Sequence, residues 1–331
     1  MNYDIAIIIP TLNEEKFISR CINSILKQSF DFEKMDVMVV DGGSTDKTVE
    51  IVKSYQKLYK NIRLLENKKK IQSVAFNIGI SNSDAPYIIR FDAHTTYDKE
   101  YISLCIKVLK EKEEIGNVGG RCIILPFNNT IWAKTNAILN HSRFGIGGAA
   151  FRVSNVEHET DSVPFGAFPR KVIDKIGGMR EDLPRGEDNE YNSRIRKAGY
   201  KVIFNPCIIS SYYARPTFKT SCKQMFNNGE SIGYLYYIDK EAIGIRHLVP
   251  FLFVLCGIIS LIISIFWNLF FYILVAGALL YFITDILASL IASKKNRKCM
   301  IPLFILFFFV HVSYGIGTIY GLIKGAKIQR N

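Results

Sequence analysis

Three apolar runs close the chain, roughly Leu248–Trp267, Leu269–Ile291 and Met300–Ile323, and no other feature constrains the fold as strongly. A helix rises about 1.5 Å per residue, so each run can cross a hydrocarbon core of about 30 Å. Only Asn268 separates the first two runs, which predicts a tight helical hairpin. The second and third are joined by Lys294-Lys295-Asn296-Arg297-Lys298, a loop that the positive-inside rule places in the cytoplasm. Two crossings then put everything before Leu248 in the cytoplasm as well. A third crossing leaves the basic tail, residues 324–331, on the far side, against the rule. That run also holds Ser313, Gly315, Gly317 and Gly321, so re-entrance competes with a full span.

The front of the chain has a different composition. Of the 30 acidic residues only Asp285 lies beyond residue 247, so the first part reads as a soluble, globular unit. Its opening, MNYDIAIIIP, has a short apolar stretch and no basic leader, unlike a signal peptide. Seven scattered cysteines lack the paired spacing of a zinc site or a disulfide framework. Strands are predicted at Ile5–Ile9, Val37–Val40, Arg63–Leu65, Tyr87–Phe91 and Val118–Leu125. Helices are predicted at Glu14–Lys27, Lys47–Tyr59, Gln72–Ile80 and Lys99–Glu113. Strand–helix alternation predicts an α/β layered fold with a mainly parallel sheet. Farther on, a helix at Glu187–Ala198 leads to a strand at Lys201–Phe204. Residues 216–247 have aromatic and apolar side chains at helical spacing (Phe218, Cys222, Met225, Phe226), with basic residues between them. They are predicted to lie along the membrane surface, a plain linker helix being the alternative.

In parallel sheets, ligands bind beyond the carboxyl ends of the strands. Those ends carry Pro10-Thr11-Leu12-Asn13-Glu14-Glu15, Asp41-Gly42-Gly43-Ser44-Thr45-Asp46 and Asp92-Ala93-His94. With Gly186-Glu187-Asp188 downstream, these motifs resemble a family 2 glycosyltransferase of the GT-A type over about residues 3–215. Further stretches resemble the membrane-anchored subgroup that builds exopolysaccharide, as the succinoglycan glucosyltransferases do. These are Ile71–Gly79, Arg90–His94, Gly145–Gly148 with Phe151-Arg152, and Val163–Gly166. The resemblance implies a nucleotide-sugar-binding GT-A domain, a Rossmann-like mixed sheet, at 1–215. The interface segment 216–247, the transmembrane helices 248–267, 269–291 and 300–323, and the tail would follow.

The resemblance also assigns roles. Pro10, Thr11, Asn13 and Glu14 would line the nucleoside pocket, although Asn13-Glu14 also reads as a helix start. Asp41 would accept a hydrogen bond from the base. Gln72 and Asn77 would lie beside the diphosphate, with Lys68-Lys69-Lys70 either facing it or in a solvated loop. Asp92 would anchor a divalent cation, Mn²⁺ or Mg²⁺. His94 replaces the commoner second aspartate, and an imidazole tilts the preference towards Mn²⁺. The alternative for His94 is a hydrogen-bonding role. Asp188 would be the catalytic base of an inverting transfer, and Glu187 would hold the acceptor or the local turn. Gly147 and Gly148 would belong to a loop able to close over the donor.

The implied activity is transfer of one sugar from a UDP-hexose to a polyprenyl-diphosphate-linked saccharide at a bacterial inner membrane. The catalytic domain would be cytoplasmic, with membrane lipid and no nucleic acid as partner. The Gln-x-x-Arg-Trp motif of processive synthases is missing, which favours single addition. Two alternatives are a polyprenyl-phosphate glycosyltransferase and a catalytically silent membrane scaffold.

Overall fold

The computed structural model describes residues 3–328 except 147, 148 and 184. In chain order it runs β1 (Ile5–Thr11), α1 (Ile18–Leu26), β2 (Met35–Asp41), α2 (Thr48–Leu58), β3 (Ile62–Glu66), α3 (Gln72–Ser81), β4 (Tyr87–Arg90), β5 (Thr95–Tyr97) and α4 (Tyr101–Glu111). It continues with β6 (Ile115–Leu125), α5 (Ile131–His141), the single turns α6 (Arg143–Ile146) and α7 (Ala150–Val153), β7 (His158–Glu159), β8 (Ala167–Pro169), α8 (Arg170–Ile176), α9 (Glu187–Lys197) and β9 (Lys201–Tyr213). Four long helices follow: α10 (Phe218–Leu235), α11 (Ile245–Ile263), α12 (Asn268–Ala292) and α13 (Met300–Ile328). The chain divides into two compact units, 1–123 with 154–212, and 124–153 with 213–331.

The first unit is built on the sheet, whose order is β3-β2-β1-β4-β8-β6-β9-β5, with β7 added to β9. Strands β3, β2, β1 and β4 are parallel. The largely apolar β1 and β2 fit burial on both faces and are buried throughout except at Pro10, whereas the edge strand β3 is mostly half-buried. Beyond β4 the sheet turns antiparallel at β8, and the β8–β6, β5–β9 and β7–β9 pairs are antiparallel too. The sheet is therefore mixed rather than mainly parallel. In the antiparallel half the long β6 and β9 are joined by three short strands, β5, β7 and β8, that are too brief to leave a periodic signal. A core of Ile5, Ile7, Ile9, Val37, Val39 and Ile89 packs against α1 and α4 through Ile22, Ile102 and Ile106.

Within the second unit, α11, α12 and α13 are each long and apolar enough to cross a membrane. They match the three predicted runs. The second connects to the third through the basic Lys294–Lys298 loop. The spans differ in cover: 6% and 11% of the first two are buried, against 33% of the third. Helix α10 accounts for much of that difference. It runs parallel to α13, with Phe218 against Phe309 and Phe226 against Tyr320. Glycines permit the approach: a Cβ on Gly229 would lie 2.0 Å from the Tyr314 carbonyl, and one on Gly317 would lie 2.1 Å from that of Phe226. Small residues four apart let helix backbones meet in this way. Phe218 and Phe226 of the aromatic stripe thus pack on a neighbouring helix. An amphipathic period alone does not say which apolar surface will cover it.

Candidate active site

The parallel strands β1, β2 and β4 end side by side, and the loops that follow them form a cleft of about 200 Å³. Pro10, Thr11, Glu14, Gln72, Asp92 and His94, all singled out from sequence, line it. So do Gly42, Asn67, Lys70 and Ile71. Lys70 stands where the basic run was expected to meet phosphate. Its neighbour Lys69 instead pairs with Glu181 at 2.7 Å on the exposed surface. Asn67 is the first residue after β3, so the strand-end rule applied to that strand would have found it.

Three expected ligand contacts are occupied by the protein itself. Asp41 Oδ2 accepts from the backbone N–H groups of Gly43 and Ser44, both at 2.9 Å, and Oδ1 accepts from the Ser44 hydroxyl. Asn13 is left-handed (φ 56°) and accepts from Thr45 N–H at 2.8 Å, bracing the β1 loop against the β2 loop. It does not cap α1, which begins only at Ile18 after a turn at Glu14–Phe17. Asn77 donates to Met179 O and accepts from Met179 N, both at 2.8 Å, and so clamps α3 to the loop before α9. Asp41, Asn13 and Asn77 do not border the cleft. Gly147 and Gly148 lie outside the described residues.

Asp92 follows β4 and is well fixed. Its Oδ1 accepts from Gln72 Nε2 at 3.1 Å and lies 3.5 Å from Arg90 NH2, while its N–H donates to Tyr97 OH at 2.8 Å. His94 Nδ1 sits 3.2 Å from Glu14 Oε1. Among the described residues no three acidic, histidine or cysteine side chains cluster as a ready-made metal cage. Asp92 and His94 nonetheless share the cleft with Glu14. A carboxylate and an imidazole, with a second carboxylate to orient the ring, are the donors that Mn²⁺ accepts, given phosphate oxygens for the rest.

Asp188 reaches the same neighbourhood from the far side of the sheet sequence. Gly186, left-handed at φ 84°, turns the chain into α9, whose first turn carries Glu187 and Asp188. Carboxylates are favoured at that end of a helix. The guanidinium of Arg90, the last residue of β4, contacts Asp188 through NH1 and lies 3.4 Å from Glu187. One buried cation therefore touches three carboxylates, two of them sequence candidates for opposite ends of the reaction. Burial, reinforced by Asp188, pushes Glu187 up to about 7. Burial also raises Asp188, while Arg90 opposes the rise. With Glu187 protonated and Asp92 and Asp188 ionised, the cluster carries one negative charge in excess of its guanidinium. Sequence reading quoted Arg90 within a motif but gave it no role. Its signal was its place two residues before Asp92.

Comparison with known proteins shows the family and the fold. Residues 6–177 match the model of glycosyl transferase family 2. The chain is 32% identical over 332 residues to a Methanococcus voltae dolichyl N-acetyl-α-D-glucosaminyl phosphate 3-β-D-2,3-diacetamido-2,3-dideoxy-β-D-glucuronosyltransferase, covering 98% of each. It is 28% identical over 246 residues to the succinoglycan biosynthesis protein ExoA of Rhizobium meliloti, covering 74% of this chain and 73% of that one. In fold it resembles the mannosyltransferase PcManGT of Pyrobaculum calidifontis, solved with GDP-mannose and Mn²⁺ (TM-score 0.62, 17% identity, 95% and 87% coverage). It also resembles Staphylococcus aureus TarS residues 1–349, solved with UDP-GlcNAc (TM-score 0.54, 14% identity, 99% and 92% coverage). A strand-end cleft lined by Asp92, and a Glu-Asp pair tied to that aspartate through Arg90, are therefore set in a chain that belongs to glycosyl transferase family 2.

Proposed function

We propose that this glycosyltransferase moves one sugar, with inversion, from a UDP-hexose to a saccharide carried on a polyprenyl phosphate or diphosphate. The observation that carries the reading is the meeting of Asp188 with Asp92, which lines the cleft, on one guanidinium. That juxtaposition supports Asp92 as the carboxylate on the donor's diphosphate side and Asp188 as the base for the acceptor's hydroxyl.

In this reaction Asp188 takes the proton from the acceptor O–H as that oxygen bonds to the anomeric carbon. The bond from that carbon to the diphosphate breaks, and UDP leaves with the electron pair. No covalent enzyme intermediate is needed. Asp92 and His94 would hold a divalent cation, with Glu14 orienting the imidazole, and the cation would neutralise charge on the leaving diphosphate. Lys70 adds a positive charge on the same wall of the cleft. Thr11, Pro10 and Gly42 form the nucleoside side, and Asp41 shapes the loop that carries Gly42.

A lipid-borne acceptor is supported by the three apolar helices in the same chain and by the dolichyl-linked substrate named for the Methanococcus relative. The basic loop at Lys294–Lys298 supports a cytoplasmic catalytic unit. Membranes containing the full chain, given labelled UDP-sugars and synthetic polyprenyl acceptors with and without a first sugar, test the reading. Product is expected only with the sugar-bearing acceptor. Transfer to bare polyprenyl phosphate would favour the polyprenyl-phosphate glycosyltransferase instead, and failure of every UDP-sugar would overturn the donor.

A further inference from the structure

We propose that Arg90 is a positioning residue that sets the spacing between the donor side and the base of this enzyme, an inference that rests on the roles of Asp92 and Asp188 proposed above. The strand holds its backbone: Arg90 N–H donates to Gly166 O at 3.1 Å, beside the fully buried Ile88 and Ile89. The side chain is 8% exposed. From that fixed origin NH2 lies 3.5 Å from Asp92 and NH1 contacts Asp188, with Glu187 at 3.4 Å. A planar fork with several fixed donors can bridge two carboxylates in a defined geometry, and the point charge of a lysine cannot.

Stability does not account for this arrangement. Burying a guanidinium carries a desolvation cost that its partners at best offset, and apolar replacements of buried ion groups are often neutral or stabilising. Here the cation also draws together three carboxylates that repel one another. A side chain on a central strand is the most rigid support the fold can offer, and reacting groups need placement to about half an ångström. The Arg90–Asp188 contact directs the base carboxylate towards the Asp92 side, where the anomeric carbon must lie if the diphosphate sits on Asp92. Arg90 itself touches neither substrate in this scheme.

The test is a double-mutant cycle in the full-length membrane enzyme: wild type, R90K, D188N and R90K/D188N. Each is assayed with the UDP-sugar that gives product in the panel, and Mn²⁺-dependent UDP binding is measured by calorimetry. A misplacement near 1 Å costs on the order of 10²-fold. R90K is therefore expected to lose on the order of 10²-fold in kcat while the donor KM and UDP affinity move less than about threefold. In the D188N background the same change should cost less than about threefold, because a residue acting through another adds nothing once its partner is disabled. Equal losses in both backgrounds, a loss confined to KM, or wild-type kcat in R90K would each overturn the proposal. R90A supplies a second arm: millimolar free guanidinium restores part of kcat if the cation acts at the site, and no restoration counts against it. Full activity in D188N would overturn the base assignment as well, whereas a normal D188N loss with undiminished R90K overturns this proposal alone.

Discussion

The two sides of the cleft were built by different means. The donor side is made of consecutive loops after β1, β2 and β4, and its polar groups are largely satisfied within those loops. Asp41 bonds residues two and three positions away, and Asn13 bonds the neighbouring loop. The base side is assembled from distance: Arg90 on β4 meets Asp188, 98 residues later. The donor side is thus a property of strand ends, and the base side a property of tertiary packing. The former should tolerate substitution of bracing residues, and the latter should fail when a single contact goes.

The largest effect expected is at Asp188. Asp188→Asn keeps shape and loses the proton acceptor, and a positioned base is worth about 10²- to 10⁴-fold. The rate should fall by that order with UDP affinity nearly unchanged. Purified D188N turning over at the wild-type rate would erase the distinction between the two sides.

Glu187 gives a stability test of the same end. Its carboxyl is 6% exposed and is raised by burial from 4.5 to about 7. A raised carboxyl favours the folded state while protonated, so its contribution is complete below about 4.5 and is lost as pH rises through 7. The linkage amounts to about 3 kcal/mol across that window. Glu187→Gln stays neutral throughout. Its melting temperature should therefore gain on wild type between pH 5 and pH 8, and parallel curves would show that Glu187 is not held as a neutral acid.

Smaller effects are expected where the donor side meets the metal. Glu14→Gln weakens the partner of His94, and groups that orient a ligating histidine are worth about 10- to 100-fold in metal affinity. The Mn²⁺ concentration for half-maximal transfer should rise by that factor, and His94→Ala should raise it at least as much. An unchanged requirement in His94→Ala would leave Asp92 as the metal ligand and His94 as a hydrogen-bonding residue.

How far the sequence reveals the molecule follows the same division. The strands β1, β2 and β4 are visible because each is a largely apolar, buried run, β3 because a short apolar pair sits between turn signals, and the three long helices because of their long apolar runs. The strand-end rule then found Pro10, Thr11, Glu14, Asp92 and His94 together. It stopped short of Asn67 only because the third strand was not followed to its end, whereas Lys70 stood in the basic run already singled out. The strands β5 and β8, three residues each, left no period to read, so the antiparallel pairings they make were hidden, although β6 and the start of β9 were expected. Arg90 was hidden for another reason: a charged residue ending a strand reads as solvent-exposed, and only the arrival of α9 makes it a buried hub. The packing of helix α10 on α13 was not legible, because the glycines that seat it there carry no apolar signal of their own.

The smallest effect sharpens the comparison most. The resemblance put Asn13 against the nucleoside, whereas the structure commits its side-chain oxygen to Thr45 N–H and its backbone to the left-handed region. Asn13→Ala loses that hydrogen bond, about 1 kcal/mol, and places an ordinary residue in a conformation costing about 1–2 kcal/mol more. Its melting temperature should drop. Asn13→Asp keeps an acceptor for Thr45 and a side chain that tolerates φ near 56°, so it should melt close to wild type. The two readings then part in UDP binding. A bracing residue predicts that Asn13→Asp binds UDP within about threefold of wild type, roughly 0.6 kcal/mol. A nucleoside contact through the amide N–H₂ predicts a tenfold or larger loss, since the carboxylate offers no donor. Calorimetry with UDP and Mn²⁺ on Asn13→Asp separates them. A tenfold loss at unchanged melting temperature would mean that the donor side, like the base side, depends on contacts its loops do not satisfy alone.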